Sequence, residues 1–200
     1  EDDILLVSLD QKSITIELHV TPIFAENDAI TGVVVIIKDV RDKKQNQEEI
    51  RYLSIHDSLT GVFNRHFFDQ EMKRLDHEKY LPLTIMFGDF NCLKLFNDTF
   101  GHLAGDEMLI KTFHTMQSCL RNQDVLARYG GDESVFLLPN TDKEGAEKLI
   151  SRIQQALKTQ QVHGLSISVS FGYETKTTSS ESLPLLFKKA EDFMYNQKIL

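Results

Sequence analysis

The sequence predicts an α/β (α+β) architecture, a central mixed sheet flanked by helices, preceded by a short antiparallel β-meander and a linker helix. Three observations predict it. Apolar residues near the start alternate with polar ones at period two; from residue 65 onward strand-like and helix-like segments take turns; and Gly130-Gly131 separates two apolar runs as a hairpin turn does. The 200 residues, 41% hydrophobic and 26% charged, have a globular composition with room for one ordinary domain and a smaller appendage, which excludes disordered, collagenous and disulfide-scaffold classes. Lys and Arg total 22 against 30 Asp and Glu, and the net charge of -8 opposes binding to a nucleic-acid backbone. An anionic ligand therefore needs metal ions or locally placed cations. The only cysteines, Cys92 and Cys119, lie in segments that read as helical and lack metal-ligand spacing, which fits a reducing, cytoplasmic setting. No apolar run approaches the ~20 residues of a membrane span, so no membrane contact is expected within this piece. Opening on Glu1-Asp2-Asp3 without a methionine, the chain reads as part of a longer protein whose remainder has room for a membrane anchor.

Ile14, Ile16, Leu18 and Val20 alternate with Thr15, Glu17 and His19, the pattern of a half-buried strand. Ile4 to Leu9 and Ile30 to Val40 read as its neighbours, set off by the turn chemistry of Asp10-Gln11-Lys12 and Glu26-Asn27-Asp28. Such a meander of about forty residues buries too little surface to fold alone. Thr21-Pro22-Ile23, followed by the run from Gly32 to Lys44, resembles the end of a PAS sensor domain, and residues 1–43 are assigned to its last strands. A sheet extension that packs on a partner chain is the competing reading. Asp42 to Ile55 is rich in Lys, Gln and Glu and reads as a solvated helix with a narrow seam at Ile50 and Leu53. Residues 44–56 are thus either a signalling helix that pairs with its copy in a dimer or a plain linker.

Residues 57–200 form the main domain. Phe68, Met72 and Leu75 mark a helix over Arg65 to Leu75, Leu83 to Phe87 a strand, and a short helix follows near Leu93 to Asp98. Leu109, Phe113, Met116 and Leu120 recur at helical spacing, with Asp106 and Glu107 expected in the first turn, where the helix dipole favours acids. Val125 to Tyr129 and Ser134 to Leu138 flank the Gly130-Gly131 turn. A helix carried by Ala146, Leu149, Ile150, Ile153 and Leu157 follows, then a strand in which Leu165, Ile167, Val169 and Phe171 alternate with serines, and a last helix to the end.

Asp89 is expected just after the strand Leu83 to Phe87, at the sheet end where a carboxylate can face a ligand, with Lys94 five residues on. Asp132 and Glu133 emerge from Gly130-Gly131, whose bare backbone lets a phosphate approach. If the Asp89 strand pairs with this hairpin, the carboxylates converge. Two acids at metal-bridging distance suit Mg2+, and metal-assisted phosphoryl or nucleotidyl transfer is the chemistry that follows. Any one of these residues alone is a common solvated feature.

Order and spacing together carry more. Asp57-Ser58-Leu59-Thr60-Gly61 with Asn64-Arg65 comes first, then Asp89-Phe90-Asn91-Cys92-Leu93-Lys94 and Asn97-Asp98-Thr99-Phe100-Gly101-His102, then Gly105-Asp106-Glu107, and Arg128-Tyr129-Gly130-Gly131-Asp132-Glu133-Ser134 closes the set. This pattern resembles the GGDEF domain of the diguanylate cyclase family, from about Asp57 to the chain end. The resemblance implies a nucleotide-cyclase, palm-like fold and a homodimer in which each protomer holds one GTP and the two condense into cyclic di-GMP, releasing two pyrophosphates. It further implies that Asp89, the Phe90 carbonyl and Asp132 bind Mg2+, with Mn2+ as a substitute. Asp132 would take the 3′-hydroxyl proton beside Glu133, Asn97 and Asp106 would hold the guanine edge with His102 nearby, and Lys94 and Lys198 would meet the phosphates around Gly130 and Gly131.

Arg121-Asn122-Gln123-Asp124, just before the hairpin, resembles the family's RxxD inhibitory site. Arg121 and Asp124, helped by Arg152, would then bind the product, arginine suiting phosphate by its forked donors. The fifth signature position is Ser134 where the family name records phenylalanine. A lost ring there leaves a void worth ~3–5 kcal/mol unless neighbours such as Phe136 refill it. Asn91 stands in place of a frequent second acid. The alternative function is therefore a catalytically silent module that binds GTP or cyclic di-GMP as a sensor. Hydrolysis of cyclic di-GMP is not expected of these 200 residues, which leave no room for a second domain to perform it.

Overall fold

The structure is a computed structural model describing residues 4–7, 13–26 and 28–198, and it divides into two compact units after Tyr52. In the first, strands β1 (Ile4–Val7), β2 (Ser13–Phe24) and β3 (Ile30–Asp39) form an antiparallel sheet in the order β1-β2-β3. This is the expected meander, with a longer central strand. Pro22 does not end β2 because β1 pairs only with residues 13–16, so at Pro22 the strand has an open side where no amide hydrogen is required. The expected turn at Asp10-Gln11-Lys12 and residue Asn27 of the second turn lie outside the described residues. Helix α1 (Arg41–Ile55) starts a little before the expected linker boundary, where Asp39 Oδ1 accepts a hydrogen bond from the Arg41 backbone N–H at 3.1 Å. It buries none of its residues, as its composition predicts.

The second unit is built on a five-stranded sheet in the order β10-β5-β7-β6-β4. Its strands are β4 (Phe63–Asn64), β5 (Leu83–Phe90), β6 (Val125–Arg128), β7 (Glu133–Leu138) and β10 (Val169–Lys176). β4 runs parallel to β6 and the remaining pairs are antiparallel, so the sheet is mixed. All eight residues of β5 are buried, which is why its stretch from Ile85 to Phe87 is apolar throughout rather than alternating. Met86, Phe90, Phe136 and Phe171 pack on one face with residues of α4 (His102–Ser118) and α5 (Lys143–Lys158). Ile85, Phe87, Val135 and Leu137 pack on the other with α2 (Arg65–Leu75) and α6 (Leu183–Lys198). Asn64 caps α2, its side chain accepting from the Phe67 N–H at 3.0 Å.

Four details differ from the sequence expectation. Asp89 lies inside β5 rather than after it, because pairing with β7 and β10 continues through that residue. α4 begins at His102, directly after α3 (Leu93–Phe100), and Gly101 serves as C-cap of one helix and N-cap of the next at φ 88°. Asp106 and Glu107 therefore sit in the second turn. Cys92 and Cys119 are caps rather than helix residues. The expected strand from Leu165 is broken: β8 (Gln161–Val162) and β9 (Leu165–Ser166) make their own hairpin, and β10 starts only at Val169. His163 and Gly164, both at positive φ, form the two-residue turn that this hairpin needs.

Candidate active site at the end of β5

The β5–β7 register sets Asp89 opposite Glu133 and Gly88 opposite Ser134. Beyond that pair the Phe90 N–H donates to the Asp132 carbonyl at 3.2 Å. Alternation along the strands places Asp89 and Glu133 on the α6 face with Phe87 and Val135. Asp89 is 4% exposed, while Asp132 and Glu133 are half-buried. The hairpin thus brings the backbones of the three acids that the sequence singled out to one end of the sheet, with Asp89 and Glu133 sharing a face.

Several contacts fix the turn between them. The Tyr129 N–H donates to the Glu133 carbonyl at 2.9 Å. Arg128 donates from Nη2 to the Gly131 carbonyl at 2.8 Å and from Nη1 to Asp57 Oδ1 at 3.2 Å. Asp57 also accepts from the backbone N–H and hydroxyl of Thr60. Burial pushes the Asp57 pKa up, but the Thr60 hydrogen bonds and the Arg128 charge outweigh it and hold the carboxyl below its ordinary value. Gly130 makes room for Glu133, since a Cβ there would lie 2.5 Å from Glu133 Oε2. Gly131 has nothing near its missing side chain and leaves the backbone open to a ligand.

Among the described residues no group of three or more His, Cys, Asp or Glu side chains is spaced to hold a metal ion by itself. Two carboxylates and a backbone carbonyl nevertheless fit Mg2+, which is commonly held by one or two carboxylates while substrate phosphates and water complete its shell. The donors are hard oxygens, and the most buried of them is Asp89. The residues present therefore fit this ion.

Asn91 and Cys92 alone separate β5 from α3, so Lys94 and Asn97 issue from the same end of the sheet as Asp89. Asn91 is occupied structurally: its Nδ2 donates to Ser168 Oγ at 2.9 Å and its Oδ1 accepts from Ser170 Oγ at 3.0 Å. Asn97 leans on Gly105 of α4, where any Cβ would overlap its carboxamide. Its Oδ1 is buried without a hydrogen-bond partner against Gly105, the residue before Asp106 in α4. His102 and Lys94 are exposed. Lys198 ends α6, and its side chain lies outside the described residues.

The Arg121-Asp124 segment forms a second cluster. Asp124 Oδ2 accepts from the Arg121 backbone N–H at 2.9 Å, while its Oδ1 is buried and unpartnered. Burial raises the Asp124 pKa against the opposing influence of the Arg121 N–H and the charges of Arg121 and Arg152. Arg152 reaches the Cys119 carbonyl through Nη2. The three residues named from sequence are thus brought together.

Ser134 is fully buried on the α4/α5 face and donates to the Gly88 carbonyl at 3.1 Å. A Cβ on Gly88 would lie 2.5 Å from Ser134 Oγ and 2.8 Å from the Phe171 ring. Aromatic bulk at this place comes from Phe171 of β10, which crowds Gly88, together with Phe136, the neighbour named from sequence, whose ring centroid lies 6.2 Å from that of Phe171. Sequence reasoning assigned no role to Arg128 or Asp57, although each stands inside a segment it quoted, and none to Tyr195 of the last helix. Tyr195 donates from its hydroxyl to Glu133 Oε1 at 3.1 Å.

Comparison with known proteins places these features in a family. The family model described as diguanylate cyclase, GGDEF domain, matches residues 54–199. Diguanylate cyclase DgcM of Escherichia coli is 31% identical over 190 residues, covering 92% of this chain and 45% of that protein. Cyclic di-GMP phosphodiesterase PdeR of the same organism is 31% identical over 167 residues, covering 80% of this chain and 25% of that protein. The chain thus spans about half the length of DgcM and less of PdeR. The coiled coil and GGDEF domain of DgcB from Caulobacter crescentus, solved with c-di-GMP, superposes with a TM-score of 0.73 at 23% identity, covering 80% of this chain and 88% of that one. At that identity the likeness is one of fold.

Proposed function

We propose, from the premise that this chain belongs to the diguanylate cyclase GGDEF-domain family, that it condenses two GTP molecules into cyclic di-GMP and two pyrophosphates. The observation that carries the proposal is that the β5–β7 register sets Asp89 opposite Glu133, with the Phe90 N–H on the Asp132 carbonyl, so that the three acids belong to one end of the sheet. Asp89, Asp132 and the Phe90 carbonyl would hold Mg2+ or Mn2+. When bound, the ion neutralises triphosphate charge and helps the pyrophosphate leave. Asp132 accepts the proton of the attacking 3′-hydroxyl, and Glu133 shapes the acidic cluster around it. The open backbone of Gly130 and Gly131 admits the phosphates, which Lys94 and Lys198 meet from α3 and the end of α6. Asn97 and Asp106 receive the guanine edge, with His102 beside them. Guanine's N1–H and exocyclic amine are donors, and this pair offers acceptors, including one buried oxygen without a partner.

Each protomer supplies one nucleotide site, and the 3′-hydroxyl of each GTP attacks the α-phosphorus of the other. The enzyme is therefore a homodimer at the moment of reaction. Arg121, Asp124 and Arg152 bind the product and inhibit the enzyme. The residues before the catalytic domain are the last strands of a PAS-like sensor (1–43) and a signalling helix (44–56), and the reaction takes place in the cytoplasm. Incubation with GTP and Mg2+, with the product identified by mass, tests the reading. Wild type is expected to form cyclic di-GMP, and Asp132→Ala to lose about 100-fold or more of the rate, the scale of a lost general base. A second reading, a silent sensor of GTP or cyclic di-GMP, is favoured by Ser134 at the fifth signature position; nucleotide binding by dimeric protein without turnover decides for it.

A further inference from the structure

Asp89 and Glu133 stand directly opposite each other across an antiparallel pair, on the same face of the sheet. Like charges in that relation repel, so something must hold the more mobile carboxylate in place. On the same face α6 approaches the sheet unusually closely. Gly172 of β10 lies against the backbone of Ala190 and Met194, leaving no space for a Cβ. The next residue after Met194 is Tyr195, and this seating carries its ring to the end of β7. There its hydroxyl meets Glu133 Oε1 at 3.1 Å, while Glu133 Oε2 rests over Gly130. Tyr195 is close enough to Asp89 to feel its charge as well.

We propose that Tyr195 is a positioning residue that reaches over from α6 and orients the Glu133 carboxylate beside Gly130, so that the acidic cluster is pre-arranged for a metal-bound triphosphate. This proposal deepens the cyclase reading and rests on it. The phenol suits the task better than a lysine or arginine would. A neutral donor fixes an oxygen without forming an ion pair that competes with the incoming cation. Gly130 completes the arrangement from the other side, since any side chain there would push Glu133 Oε2 out of position.

The test is a double-mutant cycle over wild type, Tyr195→Phe, Glu133→Gln and the double variant. The readout is calorimetric binding of 3′-deoxy-GTP in the presence of Mn2+. This nucleotide lacks the attacking hydroxyl, so binding is measured without turnover. Tyr195→Phe is expected to weaken binding about 3- to 10-fold, the scale of one lost hydrogen bond, and to add less than about 2-fold in the Glu133→Gln background. In turnover assays the same variant should raise the KM for the metal–GTP complex while kcat at saturation moves by less than about 2-fold, as lost ground-state binding does. An equal loss in both backgrounds, or none in either, overturns the proposal, as does failure of wild type to bind the analogue. Intact coupling in the binding cycle with no cyclic di-GMP formed by wild type leaves the positioning role standing and removes only the cyclase reading.

Discussion

Asp124 and Asn97 each bury a side-chain oxygen that no donor answers, and among the described residues they are the two side chains that do so. A buried acceptor without a partner costs about 1–3 kcal/mol, so each is a place where a ligand donor has something to gain. Both fall where guanine is proposed to bind, one in the substrate site and one in the inhibitory site. Asn97→Ala should therefore raise the KM for GTP about 10-fold with a smaller change in kcat, read by initial rates. Asp124 adds a pH signature. Its pKa is raised by burial, so it takes up its proton at a higher pH than an ordinary carboxylate, and the charge that receives the guanine donors is lost earlier. Inhibition by cyclic di-GMP should accordingly weaken as pH falls from neutral, beginning above the ordinary carboxylate value of about 4. Inhibition that stays constant down to that value contradicts the assignment. Ser134 is legible only in part from sequence. Its departure from the signature is plain in the lettering, but its compensation by Phe171 lies across two strand pairings. Restoring the ring with Ser134→Phe should lower the melting temperature, because Phe171 already crowds Gly88 and overpacking costs about 1–3 kcal/mol.

At the scale of elements, the catalytic hairpin is held from two directions. From the start of the second unit, Asp57 grips Arg128, and Arg128 grips the Gly131 carbonyl. The depressed Asp57 pKa makes this clamp pH-dependent in a definite sense. A carboxyl held below its ordinary value stabilises the fold above the unfolded value of about 4 and loses that contribution as pH falls through its folded value. Asp57→Asn should lower unfolding stability by about 1–3 kcal/mol at neutral pH, with the difference from wild type shrinking as pH falls below about 4. Urea titrations at neutral and acid pH check it, and an offset that does not change with pH contradicts it. From the other side, α6 seats on Gly172. Gly172→Ala pushes backbone against backbone and should cost about 1–3 kcal/mol or more, read as a fall in melting temperature together with weakened nucleotide binding. The helices were readable because their apolar residues recur at fixed spacing, as Phe68 and Leu75 do in α2 and Leu149, Ile153 and Leu157 in α5. The β8–β9 hairpin was not, since its turn rests on His163 and Gly164 in left-handed conformations, and histidine there gives no strong turn signal.

For the molecule as a whole, the order of the catalytic segments was legible while their connections were not. Asp89, Asp132 and Glu133 announce themselves by type and by the glycines before them. Tyr195 does not, because its partner lies 62 positions away and is met only through the close packing of α6. A mechanism that needs two facing sites makes a further prediction. Specific activity should rise with protein concentration until dimerisation is complete, as light scattering run alongside initial rates will register. The central claim is that Asp89 and Asp132 jointly hold the cation beside the triphosphate. Anomalous diffraction from crystals grown with Mn2+ and 3′-deoxy-GTP tests it most directly. The predicted result is manganese density within coordination distance of both carboxylates and of the nucleotide's phosphate oxygens. Nucleotide bound with manganese away from both side chains would contradict it.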